Sequence, residues 1–190
     1  PNITSSAPPR GVVAQNYSFE VEATGIPLPT YAVTSGALPP GLSIDAGSGV
    51  IGGAPTTVGT FNFSIAASSD HGAPSIAAYT MNVYQAPAVT SGMPTFVAPV
   101  GVPYAFQVTA TGIPAPAFEL LGTLPQGLTL NPQTGVIGGT PVAPGGYESA
   151  FQIIANNGID PPATSPQYWI AVDAPATITS GPPPASAQVG

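Results

Sequence analysis

"LPPGLSIDAGSGVIGGAP" (residues 38–55) decides the fold, because the chain repeats it as "LPQGLTLNPQTGVIGGTP" (124–141). Taken alone, Gly47, Gly49 and Gly52 satisfy G-x-G-x-x-G, the fingerprint whose glycines let a dinucleotide pyrophosphate approach a helix N-terminus. That chemistry needs a helix after the third glycine. Gly52 instead leads into "GAPTTVGTF", with Pro55 and β-branched residues. In the second copy Gln133 replaces Gly47, while Gly135, Gly138 and Gly139 persist. A fingerprint broken in its sister copy points to backbone geometry rather than to phosphate. The expected structure is two short strands joined by the turn "DAGSG" or "NPQTG", which needs residues tolerant of positive φ. No cofactor is expected at this loop.

The repeat extends outward from there, and internal repetition has to be settled before other readings. "ITSSAPP" (3–9) returns as "VTSGMPT" (89–95) and again as "ITSGPPP" (178–184). "YSFEVEATGIPLPTY" (17–31) returns as "YAFQVTATGIPAPAF" (104–118), and "YTMNVYQAP" (79–87) as "YWIAVDAP" (168–175). The expected units are therefore 1–86, 87–174, and the first strand of a third copy over 175–190. The short "QAP" and "DAP" junctions, with Pro87 and Pro175, are expected to limit bending between units.

Within each copy the hydrophobic period is two. Tyr17, Phe19, Val21 and Ala23 alternate with Ser18, Glu20 and Glu22, and Phe61, Phe63, Ile65 and Ala67 alternate with Asn62 and Ser64. Tyr79, Met81 and Val83 form a third row, and the second copy answers with Tyr104–Ala110, Phe151–Ala155 and Tyr168–Val172. Such alternation is the signature of strands buried on one face. Roughly seven short strands per copy, punctuated by turn signals, read as an all-β sandwich. Together, "ITS.PP", "ATG.P.PTY", "LPPGLSID", "TGVI.G.P" and "GT..F.I.A" resemble the bacterial putative-Ig repeat family, related to cadherin-like and dystroglycan-type modules. The resemblance implies tandem immunoglobulin-like β-sandwich domains strung within large exported proteins, and it brings no catalytic residues.

Composition narrows the function. Of 190 residues 26 are proline and 23 glycine, yet 43% are hydrophobic, so a turn-rich β protein is favoured over disorder. One basic residue, Arg10, stands against eight acidic ones, for a net charge of −7. Nucleic acid is excluded as a partner, because phosphate binding needs lysines and arginines. An anionic membrane surface is disfavoured for the same reason, and no apolar run approaches the ~18 residues of a membrane span. With no cysteine and no lysine, thiol, disulfide, Schiff-base and isopeptide chemistry are all absent. The sequence opens at Pro1 without an initiator Met or a signal peptide, and so reads as a mature piece or a fragment.

The remaining candidate sites are sparse. Calcium would need six to eight oxygens, several from carboxylates. Glu20, Glu22 and Asp45 become Gln107, Thr109 and Asn131 in the second copy, and Glu119 and Glu148 belong to the second copy alone. Asp70, Asp160 and Asp173 are the calcium candidates that remain, although no cofactor is the leading expectation. His71, beside Asp70, is the only histidine and reads as a solvated loop residue. Trp169, the only tryptophan, alternates away from the Tyr168–Ile170–Val172 row and is the candidate stacking residue for carbohydrate.

The expected function is a non-enzymatic stalk, spacer or adhesin segment of an extracellular or cell-surface fibre. Its expected partners are neighbouring repeats or subunits and, through Trp169, surface glycans. Two alternatives stand beside it: a filament subunit that uses 176–190 for strand addition, and carbohydrate-binding accessory modules of a secreted enzyme.

Overall fold

In the computed structural model the described residues are 1–145, 150–174 and Gly181. Glu148 and the third-copy segment, Gly181 apart, lie outside them. The first copy contributes β1 (Asn2–Ile3), β2 (Gly11–Val12), β3 (Tyr17–Glu20), β4 (Ala23–Thr24), β5 (Thr30–Gly36), β6 (Leu42–Ile44), β7 (Val50–Gly53), β8 (Gly59–Ser68) and most of β9 (Ser75–Val89). The second contributes β10 (Val97–Pro99), β11 (Tyr104–Gln107), β12 (Ala110–Ile113), β13 (Ala117–Gly122), β14 (Leu128–Leu130), β15 (Val136–Gly139), β16 (Ala150–Asn156), β17 (Ala163–Thr164), β18 (Tyr168–Trp169) and β19 (Ala171–Asp173). Among the described residues every regular element is a strand.

Each copy folds as two facing sheets. In the first, β3–β7–β6 with the β1–β4 pair forms one layer, and β2–β9–β8–β5 forms the other. The pairing is antiparallel except for β2 on β9, which is parallel at Gly11↔Val83 and Val12↔Tyr84. The second copy repeats this plan, with β11–β15–β14 facing β13–β16 and the pieces β17 and β18, and with β10 parallel to β19. The alternating rows supply the cores. Val21 and Ile51 pack against Phe63, Ile65, Tyr79, Met81 and Val83 in one cluster. Val108, Leu128 and Ile137 pack against Phe118, Phe151, Ile153, Tyr168 and Ile170 in the other. Tyr168 is central there, edge-on to both Phe106 and Phe151, with ring centroids 5.9 and 5.8 Å away.

The stretch 38–55 holds the β6–β7 hairpin, and β14–β15 is its twin. The Asp45 carboxylate accepts from the Gly47 and Ser48 N–H groups and the Ser48 hydroxyl, while Asn131 Oδ1 accepts from the Gln133 and Thr134 N–H groups. Gly49 and Gly135 both sit at φ +74°, and a Cβ on either would press on the carbonyl of Val21 or Val108, at 2.5 and 2.6 Å. Gly52 lies in the strand, where a Cβ would meet only ordinary contacts. One glycine of the apparent fingerprint is therefore mechanical, and the stretch opens a strand, not a helix.

Two features depart from simple repetition. The first is the "QAP" junction, which lies inside β9: this strand runs unbroken from Ser75 to Val89, pairing with β8 in the first copy and β12 in the second. The second is the final strand of the second copy, which breaks into β17, β18 and β19. There the Ser165 N–H still donates to the Ile153 carbonyl at 2.8 Å, but the return bond goes to its side chain: Ser165 Oγ accepts from the Ile153 N–H at 2.9 Å while donating to the Pro166 carbonyl at 2.7 Å.

Candidate functional site

The residues singled out from sequence do not converge. Asp70 is exposed in the turn after β8, Asp160 is exposed in the corresponding turn after β16, and Asp173 ends β19 half-buried. Among the described residues, no three groups of His, Asp or Glu are placed to share a metal ion. His71 is exposed, and its carbonyl accepts from the Ser69 hydroxyl. Trp169 lies in β18 opposite Ala150, half-buried and alternating away from the core side on which Tyr168 sits. What the fold does assemble is the junction between the copies.

Each copy has two ends. The head comprises the turn before its third main strand (25–29, or 112–116) and the loop after its longest hairpin strand (69–74, or 157–162). The tail comprises the turn before its second main strand (13–16, or 100–103) and the loop after the repeated glycine hairpin (54–58, or 140–142). Because β8 runs from Gly59 at the tail to Ser68 at the head, the two ends are opposite. At the junction the first tail meets the second head.

The continuous β9 carries the chain through this contact. Proline has no N–H to give a ladder and is tolerated where pairing is irregular. Pro87 meets that condition: it is buried opposite Gly112, where the β9–β12 register shifts between Thr111 and Ile113. Gly112 is at φ +150°, and a Cβ there would lie 2.9 Å from Asn157 Nδ2 and 3.2 Å from Pro87 Cα. Asn157 closes the site. Its amide donates to the Gln85 carbonyl at 3.0 Å and to the Pro114 carbonyl at 2.8 Å, and its Oδ1 accepts from the Ile159 N–H. From the other side, Gln15 Nε2 donates to the Asp160 carbonyl at 3.0 Å. Ile159 is left only 3% exposed.

A groove of about 350 Å³ runs along this seam, walled by Arg10, Asn82 and Tyr84 of the first copy and by Pro114, Asn157 and Ile159 of the second. It holds the only basic side chain of the protein, and among the described residues no acidic group lines it. Sequence reasoning missed Gln15, Gly112 and Asn157. The available signal was the loop "NNGIDPP" (156–162), which matches "SSDHGAP" (68–74) in length but brings two asparagines where the first copy has none.

Two half-buried phenols frame the tails. Tyr17 donates to the Pro9 carbonyl and Tyr104 to the Thr95 carbonyl, at 3.1 and 3.0 Å. Burial raises both pKa values, that of Tyr17 to about 12. Asp45 goes the other way: the Ser48 N–H, the Ser48 hydroxyl and the Gly47 N–H hold its carboxyl below the ordinary range.

The family model described as "Putative Ig domain" matches residues 1–84 and again 86–172. Among solved structures, domains 3–5 of the extracellular part of Drosophila OTK superpose with a TM-score of 0.65 at 16% identity, over 90% of this chain and 62% of that one. Immunoglobulin domains 1–4 of Sidekick-1 give 0.62 at 15% identity, over 92% and 48%. An I-band fragment of titin gives 0.55 at 13% identity, over 92% and 64%. The chain thus spans less than two thirds of each. At these identities the likeness shows the fold alone: tandem immunoglobulin-like β-sandwiches. No curated protein matches the chain in sequence.

Proposed function

We propose, for a chain that belongs to the putative Ig domain family over both of its copies, a non-enzymatic structural role: a two-module stalk, spacer or adhesive segment of an extracellular or cell-surface protein. The observation that carries the reading is β9, one strand that closes the first module and opens the second without an intervening loop. A strand of 15 residues reaches roughly 50 Å at ~3.3 Å per residue, so it sets the separation of the modules as well as joining them. The Asn157 and Gln15 hydrogen bonds then tie the 157–160 loop of the second module to Gln85 and Gln15 of the first, and so oppose bending at the junction. The surface supports an exterior setting, since polar uncharged side chains rather than lysines wet it. On the outer face of the first module, Thr60 pairs with Asn82 and Thr80 with Asn62, each at 2.7 Å.

The test has two arms. Antibody against the chain should label intact source cells or their secreted material, and labelling only after permeabilisation would overturn the exterior setting. Because the protein has no cysteine, spin labels placed at Ser69→Cys and Thr140→Cys report the span cleanly. A single narrow distance distribution is expected, and a broad one would overturn the spacer reading.

A further inference from the structure

The groove along the seam gathers side chains that the module fold does not use. Thr80, Asn82 and Tyr84 alternate along β9 with the buried Tyr79, Met81 and Val83, so the three share the outer face of the sheet. Thr60 donates to Asn82 Oδ1 and Thr80 to Asn62 Oδ1, which orients both amides and, among the described residues, leaves the Asn82 NH2 as an unspent donor. Arg10 stands beside this row, because the next two residues, Gly11 and Val12, pair with Val83 and Tyr84. Among the described residues neither the Arg10 guanidinium nor the Tyr84 hydroxyl has a hydrogen-bond or ion-pair partner. In the sequence repeat Phe96, Ala171 and Asp173 take the places of Arg10, Asn82 and Tyr84, so the sandwich does not require them.

The opposite wall belongs to the second module. Asn157 is held there by its bonds to the Gln85 and Pro114 carbonyls, and its Oδ1, which accepts from the Ile159 N–H, has a second lone pair to offer. The same bonds fix the width of the groove. One cation, fixed donors and acceptors on both walls, an aromatic ring and no lining carboxylate suit a small, hydroxyl-rich ligand with a single negative charge. A guanidinium grips a carboxylate through two parallel hydrogen bonds. The half-buried Tyr84 ring offers an apolar face to the C–H side of a sugar. A volume of about 350 Å³ is at the small end of ligand clefts, ~300–1,000 Å³, and suits one sugar ring. Polyanions are disfavoured, since the protein sets eight acidic residues against one base. We infer that the seam groove binds a hexuronic acid residue at the end of a glycan, with its carboxylate on Arg10, its ring against Tyr84 and its hydroxyls on Thr80, Asn82 and Asn157. The site is separate from Trp169, which lies in β18. The inference gives the adhesive form of the role above its ligand class, and it rests on the exterior setting for its meeting with glycan.

The test is a nuclear magnetic resonance titration of the 190-residue protein with methyl β-D-glucuronide and methyl α-D-galacturonide. At least one of them should shift the Arg10 Nε–H and the Asn82 and Asn157 side-chain amides, with a Kd of roughly 1–10 mM. Methyl β-D-glucoside and inorganic phosphate should each bind at least about fivefold more weakly, one lacking the charge and the other the ring. Arg10→Gln, a change at an exposed side chain, should weaken the uronide about tenfold and abolish its advantage over the glucoside. Tyr84→Ala should weaken uronide and glucoside alike, and Trp169→Ala should change neither. No shift at these groups with either uronide up to about 50 mM would overturn the inference. So would glucoside or phosphate binding as tightly as the uronide, or a uronide affinity that survives Arg10→Gln. Surface labelling and the label distance do not depend on any of these outcomes, so an empty groove would leave the structural role standing.

Discussion

Asn157 and Gln85 lie 72 positions apart and are joined across the module boundary by a 3.0 Å hydrogen bond from the side-chain amide to the main-chain carbonyl. The same amide holds Pro114, so one side chain ties the continuous strand to the head of the second module.

Replacing Asn157 by alanine removes three hydrogen bonds at once, each contributing on the order of 1 kcal/mol. The Ile159 amide should then exchange with solvent at least about tenfold faster, and the label-to-label distance across the junction should broaden. The first module, which makes no use of Asn157 in its own core, should keep its melting temperature within about 1 °C. Differential exchange and calorimetry check both statements.

The three glycines of 47–52 should respond unequally to alanine. Gly49→Ala forces a Cβ against the Val21 carbonyl and the Tyr31 ring at φ +74°, and should cost roughly 2 kcal/mol or more. Gly47→Ala and Gly52→Ala meet nothing closer than 3.6 and 3.9 Å and should cost less than about 1 kcal/mol. Urea melts of the three variants distinguish a turn from a phosphate cradle, because a cradle would leave stability indifferent to which glycine is changed.

Acid should weaken the first module before the second. The folded pKa of Asp45 is depressed, so its contribution is complete above the unfolded value of about 3.9 and is lost as pH falls through the folded one. Asn131, its counterpart, does not titrate. In Asp45→Asn the acid sensitivity of the first module should diminish, as read by amide signals of the two hairpins between about pH 5 and pH 2.

Alkali acts through the phenols. Tyr17 has its folded pKa raised to about 12, so its contribution is complete below about 10 and is lost as pH rises towards 12. Tyr17→Phe should flatten that alkaline decline at the cost of the bond to Pro9.

Ser165→Ala should destabilise the second module by about 1–3 kcal/mol, since it strips the Ile153 N–H of its acceptor beside a fully buried side chain. A urea melt shifted by less than the error would show that the hydroxyl is dispensable.

The sandwich was legible because its cause is local. Rows such as Tyr17–Ala23 and Tyr79–Val83 alternate on a period of two, and the repeated glycine hairpin fixes the turn between β6 and β7. The junction was not legible, because it depends on two irregularities cancelling. Pro87 reads as a break until Gly112 is seen opposite it, where no N–H is needed. Asn157 reads as a loop residue until the second head is stacked on the first tail. The acidic candidates follow a different logic: Asp70 and Asp160 occupy matching turns, and repetition along a chain places such equivalent residues a module apart rather than side by side. The fragmentation of β17–β19 hid behind an intact hydrophobic row, since Tyr168, Ile170 and Val172 are all fully buried although the strand is broken around them.

A strand shared by two sandwiches is also a tendon. Tension applied along the two-module unit enters β9 directly, and its lateral bonds to β8, β2 and β12 are loaded in shear, many at a time, rather than peeled one by one. No slack loop lies between the modules to unreel first, so extension has to begin by tearing a sheet. The first yield point of such a unit is a core, not a hinge.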